Sequence, residues 1–221
     1  MEAVTSCQTT EQREKPAILY IQRPELPDRR GYLAVKRGAD LVLAGLGILI
    51  LLLPMGILAL LIVLDSPGDP IFRQERLGKN GRPFTIYKFR TMRLNAEENG
   101  PQWAEKDDRR CTRLGSFLRR TRLDELPQLF NILKGDMSFV GPRPERRYFY
   151  DQFETYIVGF SNRLLVTPGL TGFAQVCGGY DLKPEEKILY DMKYIENQSV
   201  RMDLACILKT ICVIISGSGA R

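Results

Sequence analysis

From Leu41 to Leu64 the chain carries 24 consecutive residues without a charge, LVLAGLGILILLLPMGILALLIVL. A membrane span needs about 20 predominantly apolar residues, whereas helices of globular domains usually run about 8–20. Insertion into a bilayer is therefore expected, rather than burial as a core helix. The run starts too late and is too long for a secretory leader, and no A-x-A-like cleavage site follows it.

Insertion need not mean crossing. Pro54 lies near the middle of the run, where it removes a backbone donor and kinks a helix. Each arm is then 11–13 residues, or about 17–20 Å at about 1.5 Å per residue. That reaches about halfway through a hydrocarbon layer of about 30 Å. Arg29, Arg30, Lys36 and Arg37 precede the run, and Arg73, Arg76 and Lys79 follow it. The positive-inside tendency holds both flanks on the cytoplasmic side. A re-entrant helix over residues 33–66 satisfies both ends, and a spanning helix satisfies one. Residues 1–32, polar and dotted with Pro16, Pro24 and Pro27, are expected to be a mobile tail. Residues 67–221 are expected to form the soluble domain.

Histidine is absent from all 221 residues. That removes Ser-His-Asp and Cys-His triads and His-ligated zinc. Cys7, Cys111, Cys177, Cys206 and Cys212 are odd in number and never form a CxxC; this fits a reducing compartment and argues against a disulfide framework. The excess of 32 Lys+Arg over 26 Asp+Glu, a net charge of +6, points to phosphate, nucleic acid or a membrane surface. In the soluble part, Phe72–Leu77 and Phe84–Met92 read as extended pieces around a turn at Gly78–Gly81. Residues 95–108 read as an acidic loop carrying Trp103. Helices are expected over 112–121, 124–134, 145–158, 184–195 and 203–215. The expected fold class is helix-rich α+β. Leu204 to Ile215 suits either a packed core helix or one dipping into the lipid interface.

Three clusters can carry chemistry. Residues 109–122, RRCTRLGSFLRRTR, hold six arginines and no acid. They suit a basic face on anionic headgroups or a diphosphate clamp, since guanidinium forks match phosphate oxygens. Among those arginines the one aromatic is Phe117, which leaves little for base stacking, so no nucleic-acid partner is expected. Asp124-Glu125 follows at once. Adjacent acids can simply complement a helix dipole. Within a basic field they can also attack phosphorus and hold Mg²⁺. In Gly141-Pro142-Arg143-Pro144-Glu145 two prolines flank one arginine, either a rigid exposed loop or an arginine set in advance against an anion.

The sequence resembles the bacterial sugar transferase family, the monotopic phosphoglycosyl transferases. The matching blocks are Lys88–Met92, Leu123–Leu129, Asn131–Ser138, Gly141–Glu145 and Thr167–Gly172. The likeness covers about residues 33 to 221, and the ending Gly217 to Arg221 looks like the exopolysaccharide branch. The resemblance implies a small catalytic domain held by a re-entrant helix on the cytoplasmic face of the bacterial inner membrane. It implies transfer of a sugar 1-phosphate from a UDP-sugar donor to undecaprenyl phosphate, with UMP leaving. Downstream glycosyltransferases are expected as possible partners beside the lipid bilayer. It makes Asp124 the nucleophile and Glu125 its metal-associated neighbour, both near Mg²⁺ (or Mn²⁺). Lys88, Arg90, Arg119 and Arg143 fall in motif positions around the donor phosphates. Direct attack by the acceptor, with Asp124 only binding metal, stays open, as does a non-enzymatic membrane-bound basic scaffold. Glucose and galactose are the usual donor sugars of the branch, with N-acetylated sugars also open.

Three departures stand out. Leu53 precedes Pro54 where serine is common, which implies a shallower bend. Phe173 stands where relatives often have Trp. Many relatives carry four further membrane helices ahead of this region; a polar tail in that place is expected to leave their role absent.

Overall fold

The computed structural model describes residues 18–93, 96, 108–178 and 182–216. Residues 1–17 of the expected tail, and most of the acidic loop with Trp103, lie outside the described residues. In chain order the elements are β1 Leu19–Tyr20, α1 Arg30–Asp65, β2 Ile71–Leu77, β3 Pro83–Phe89, α2 Arg113–Thr121, α3 Gln128–Lys134, β4 Ser138–Val140, α4 Arg147–Glu154, β5 Ile157–Val158, β6 Gly169–Thr171, α5 Phe173–Gly178, α6 Pro184–Glu196 and α7 Val200–Ser216. The helix-rich α+β class is borne out.

α1 is one 36-residue helix that continues through Pro54. Its two faces differ by burial, not by polarity. Asp40, Ala44, Met55 and Ile62 are buried, and Ile48, Leu51 and Leu58 pack partly buried between them. Their spacing of three and four residues draws a single stripe along one helix face. The rest of the apolar run stays exposed, with Leu49, Leu53 and Leu64 each about three-quarters accessible. The elements after α1 therefore pack along its length, not at one end of it.

Two of the three apolar clusters use that stripe. One joins Ala44 to Ile86, Leu129, Ile132 and Met137, and another joins Met55 and Ile62 to Phe89 and Leu118. The third is built from α4, α6, α7 and the segment between β5 and β6, around Phe160, Ile157, Ile188, Tyr194 and Ile195. Polar contacts reinforce the seating of α1. Arg37 donates to the carbonyls of Ile132 (2.6 Å) and Leu133 (2.9 Å) at the end of α3. Asp40 Oδ1 accepts the Phe139 N–H at 3.0 Å. Asp203 of α7 accepts from Tyr32 (2.8 Å) and Lys36 (2.7 Å).

The hairpin is antiparallel and runs from Ile71↔Phe89 to Leu77↔Pro83. Its turn needs left-handed backbone at Asn80 (φ 58) and Gly81 (φ 73); Asn and Gly adopt that region at least cost. The expected second strand ends early, because Arg90 N–H turns to the Pro70 carbonyl at 2.8 Å. β4 and β6 pair in parallel, as do β1 and β5. The segment from Ile18 to Arg29, expected within a mobile tail, is docked. Leu19 N–H bonds the Tyr156 carbonyl and Ile21 N–H that of Val158. Leu19 and Ile21 also pack on the largest apolar cluster, which is the physical reason for the difference.

Two expected helices are broken. Over 124–134, residues Leu123–Glu125 form a separate 3₁₀ turn and α3 starts at Gln128. Arg122, left-handed at φ 58, ends α2 and redirects the chain. Over 145–158, the helix stops at Glu154 and Ile157–Val158 becomes β5.

Candidate active site

The acid pair sits in the 3₁₀ turn between α2 and α3, against β3, and both carboxylates are buried, at 7% and 8% exposure. Glu125 Oε1 accepts Lys88 Nζ at 3.0 Å and Arg143 Nη2 at 2.5 Å. Burial alone would raise its pKa. Arg143 and then Lys88 outweigh that and hold the Glu125 carboxyl well below the usual range. Burial likewise pulls Lys88 below an ordinary lysine, and Glu125 opposes it. Lys88 and Arg143 share the Glu125 carboxylate between them.

Asp124 is in a different state. Among the described residues its carboxylate makes no hydrogen bond and no ion pair. Burial pushes its pKa up to about 6; Lys88, Arg143 and Arg119 pull it down, and Glu125 pushes it further up. Of two adjacent acids, one is neutralised by two cations and the other stands underserved within their field. A buried, poorly solvated carboxylate that is still mostly ionised at pH 7 suits nucleophilic attack.

Arg143 is held by its backbone. The carbonyl of Pro142 accepts Gly169 N–H (2.9 Å), that of Arg143 accepts Arg163 Nη2 (2.8 Å), that of Pro144 accepts Arg76 Nη1 (3.2 Å), and that of Glu145 accepts Leu77 N–H (3.1 Å). A Cβ at Gly141 would stand 2.5 Å from the Thr167 carbonyl oxygen, so that close approach needs glycine. Arg143 is thus held with little ordering left to lose.

Arg119 is brought toward the pair by the docking of α2. A Cβ at Gly115 would lie 1.9 Å from the Thr91 carbonyl oxygen, so α2 rests directly on the backbone after β3. Arg119 Nε then donates to Thr91 Oγ1 at 2.9 Å. Within the basic run, Arg110 is bound to Asp108 at 2.5–3.1 Å. Arg90, expected around the donor phosphates, has other partners here. Both terminal nitrogens go to the carbonyls of Ser66 and Pro67, so it fastens the end of α1 to the hairpin.

Sequence reasoning missed the buried charges behind the site. Glu145 accepts Arg76 (3.2 Å) and Lys187 (2.6 Å). Burial would raise the Glu145 carboxyl, yet Lys187 and Arg76 hold it at about 2. Arg163 Nε pairs with Asp191 Oδ2 at 2.6 Å, both side chains being inaccessible. Only the position of Glu145 inside a Pro-bounded motif signalled any of this. Elsewhere, a cavity of about 220 Å³ is lined by Arg29, Lys36, Arg37 and Lys79. Arg29 and Arg37 there already serve backbone carbonyls, and Lys36 serves Asp203.

Among the described residues no group of three or more acids or cysteines is poised to hold a metal by itself. The pair still suits Mg²⁺, which typically takes one or two carboxylates and completes its shell with substrate phosphate and water. Asp124 is unengaged, and the two cations on Glu125 share one oxygen, Oε1.

Comparison with known proteins places the chain among named relatives. The chain is 47% identical over 193 residues to the UDP-N-acetylgalactosamine-undecaprenyl-phosphate N-acetylgalactosaminephosphotransferase of Aeromonas hydrophila, covering 86% of this chain and 46% of that protein. It is 53% identical over 133 residues to the putative undecaprenyl-phosphate N-acetylgalactosaminyl 1-phosphate transferase of Bacillus subtilis (strain 168), covering 60% and 74%. It is 40% identical over 182 residues to the UDP-glucose:undecaprenyl-phosphate glucose-1-phosphate transferase of Escherichia coli (strain K12), covering 80% and 39%. The chain thus spans less than half the length of the first and third of these relatives. The family profile described as bacterial sugar transferase matches residues 31–217; with that match running from the start of α1 through the acid pair to α7, the chain belongs to the bacterial sugar transferase family.

Proposed function

We propose that this protein transfers a sugar 1-phosphate from a UDP-sugar to undecaprenyl phosphate, giving undecaprenyl-diphosphate-sugar and UMP through an aspartyl-phosphosugar intermediate. The observation that carries the reading is the asymmetry of the acid pair. Glu125 is clamped by Lys88 and Arg143, while Asp124 stands unpaired beside them. In the first step an Asp124 carboxylate oxygen bonds to the sugar-bearing phosphorus, and the pyrophosphate P–O bond breaks with its electrons leaving on UMP. In the second, a phosphate oxygen of the lipid bonds to the same phosphorus and Asp124 departs as carboxylate. No proton needs to move, because carboxylate and phosphate are both ionised near pH 7. A diphosphate repels a carboxylate, so Lys88, Arg119 and Arg143 supply the fixed positive field that attack requires. Bound Mg²⁺ (or Mn²⁺), held by Asp124 and Glu125, would neutralise phosphate oxygens.

The re-entrant reading draws support from α1. A polar domain packs beside the helix from Tyr32 to Ile62, which a helix crossing a bilayer upright could not allow. Both ends then lie on the cytoplasmic face of the inner membrane, and the site meets the lipid phosphate at headgroup level. Two of the relatives above are named for N-acetylgalactosamine, so UDP-N-acetylgalactosamine is the first donor to test, ahead of UDP-glucose and UDP-galactose. The test is UMP release across a panel of UDP-sugars with undecaprenyl phosphate, with intact-protein mass measured before lipid is added. One donor should give UMP and a phosphosugar mass gain on the peptide containing Asp124. UMP that appears only with both substrates, and no trapped adduct, would replace this scheme by direct attack. No UMP with any donor would sink the enzyme reading.

A further inference from the structure

Three arginines around the acid pair have terminal nitrogens engaged within the protein. Arg90 serves the Ser66 and Pro67 carbonyls, Arg110 serves Asp108, and Arg143 serves Glu125. Arg119 differs. Among the described residues its guanidinium makes one hydrogen bond, from Nε to Thr91 Oγ1 at 2.9 Å, and both Nη groups are left open. The residue is half-buried. It lies close enough to Asp124 to draw that carboxyl down against the push of burial.

The partner that Arg119 does have is itself fixed. Thr91 is 6% exposed. Its carbonyl accepts the Thr112 N–H at 3.0 Å, and Arg93 N–H bonds the Arg110 carbonyl at 3.0 Å. The chain after β3 therefore runs antiparallel to the segment that opens α2, with Met92 opposite Cys111. Thr112 in turn caps α2, its Oγ1 accepting the Gly115 N–H at 2.9 Å. Thr91 and α2 thus form one unit, with Arg119 about two turns beyond the cap. A β-branched side chain has few rotamers of its own, so the hydroxyl is an acceptor in a set place.

We propose that Thr91 is the positioning residue for Arg119, its hydroxyl holding Nε so that the Nη1–Nη2 fork stands open for the donor diphosphate; the inference rests on the UDP-sugar reading above, with Arg119 on the donor phosphates. A guanidinium is planar. Holding Nε sets the direction of the outer N–H groups, which can then meet two phosphate oxygens at once. Rotamer freedom is given up on folding and not on binding, which lowers the ordering cost that the substrate meets. Thr91 touches neither the substrate nor the reacting atoms. It changes no bond or proton count in the transfer.

Thr91→Val keeps the branched shape and removes the acceptor, whereas Thr91→Ser keeps the acceptor and removes a buried methyl. The measurement is kcat/KM for the UDP-sugar that wild type accepts, from UMP release with undecaprenyl phosphate present, with a thermal melt of each protein. Thr91→Val should lose about tenfold, mostly as a rise in KM, while Thr91→Ser stays within about threefold of wild type. A side chain that only fills space gives the reverse order, with Thr91→Ser the weaker, and that result overturns the inference. Wild-type kcat/KM in Thr91→Val overturns it too, as does a loss that accompanies a melt several degrees lower. Arg119→Met supplies the second arm. Thr91→Val added to it should cost little beyond the single Arg119 change, because the two side chains act through one contact. A further tenfold loss in the double variant would mean that Thr91 acts by another route, and only the Thr91 inference would fall. Wild-type kcat/KM in Arg119→Met would instead remove Arg119 from the donor phosphates, and no UMP from wild type would sink the UDP-sugar reading; the Thr91 inference falls with either.

Discussion

Arg163 reaches Asp191 with its Nε (2.6 Å) and the Arg143 carbonyl with its Nη2 (2.8 Å), so one inaccessible guanidinium ties α6 to the loop that presents the site arginine. The pairing is buried on both sides. Removing one partner would therefore strand the other charge in a medium that cannot solvate it.

Asp191→Asn should cost about 3–5 kcal/mol of stability, the usual penalty for breaking a buried pair from one side. Donor turnover should fall in the same variant, since the Arg143 carbonyl loses a fixed donor. Denaturant unfolding checks the first part. A midpoint equal to wild type would mean that Arg163 finds another counterion.

Asp124 makes both activity and stability depend on pH. Its folded pKa is raised to about 6 by burial, so kcat/KM for the donor should fall as pH drops through that value. The stability sign is the opposite. A carboxyl that binds its proton more tightly when folded loses stability as pH rises from its unfolded value to its folded one. Asp124→Asn should therefore be inactive yet melt higher than wild type at pH 8, with the gap closing near pH 4. A variant less stable than wild type at pH 8 would contradict the burial argument.

Arg90 should behave as an anchor, not as a donor ligand. Arg90→Gln gives up both bonds to the Ser66 and Pro67 carbonyls. The melting temperature is expected to fall by several degrees, while KM for the UDP-sugar in the surviving protein moves less than about threefold. A large KM increase without loss of stability would return Arg90 to the donor phosphates.

The topology can be read by labelling. With native cysteines replaced, single cysteines at Gly31 and Asn80 should react with a membrane-impermeant reagent from the same side. Opposite-side reaction would leave a spanning helix, and would conflict with the packing of Arg37 and Ile62 against one domain.

What the sequence made legible was local. The acid pair, the Pro-bounded Arg143 and the hairpin around Gly78–Gly81 each announce themselves within a few residues, through charge, fixed φ or turn chemistry. The parallel pairs did not, because strands of two or three residues such as Leu19–Tyr20 and Ser138–Val140 carry no readable alternation. The buried pairs Arg163–Asp191 and Glu145–Lys187 join positions 28 and 42 residues apart, and nothing near either residue names its partner. The contacts of Arg90 were hidden for a related reason: a motif fixes which residue stands in a place, and the end of α1 that folds back onto it supplies the carbonyls it meets.

The stripe on α1 has a consequence for how the protein comes into being. Ala44, Met55 and Ile62 leave the ribosome before Ile86, Leu118 and Leu129, the residues they are to cover. Were the apolar helix to enter lipid as proposed, it would stand there as a template while the remainder emerges, and the later elements would condense onto it. Membrane targeting and maturation would then be one event. A chain released into water would hold its helix face and its hairpin face open at once, ready to join another copy in place of itself.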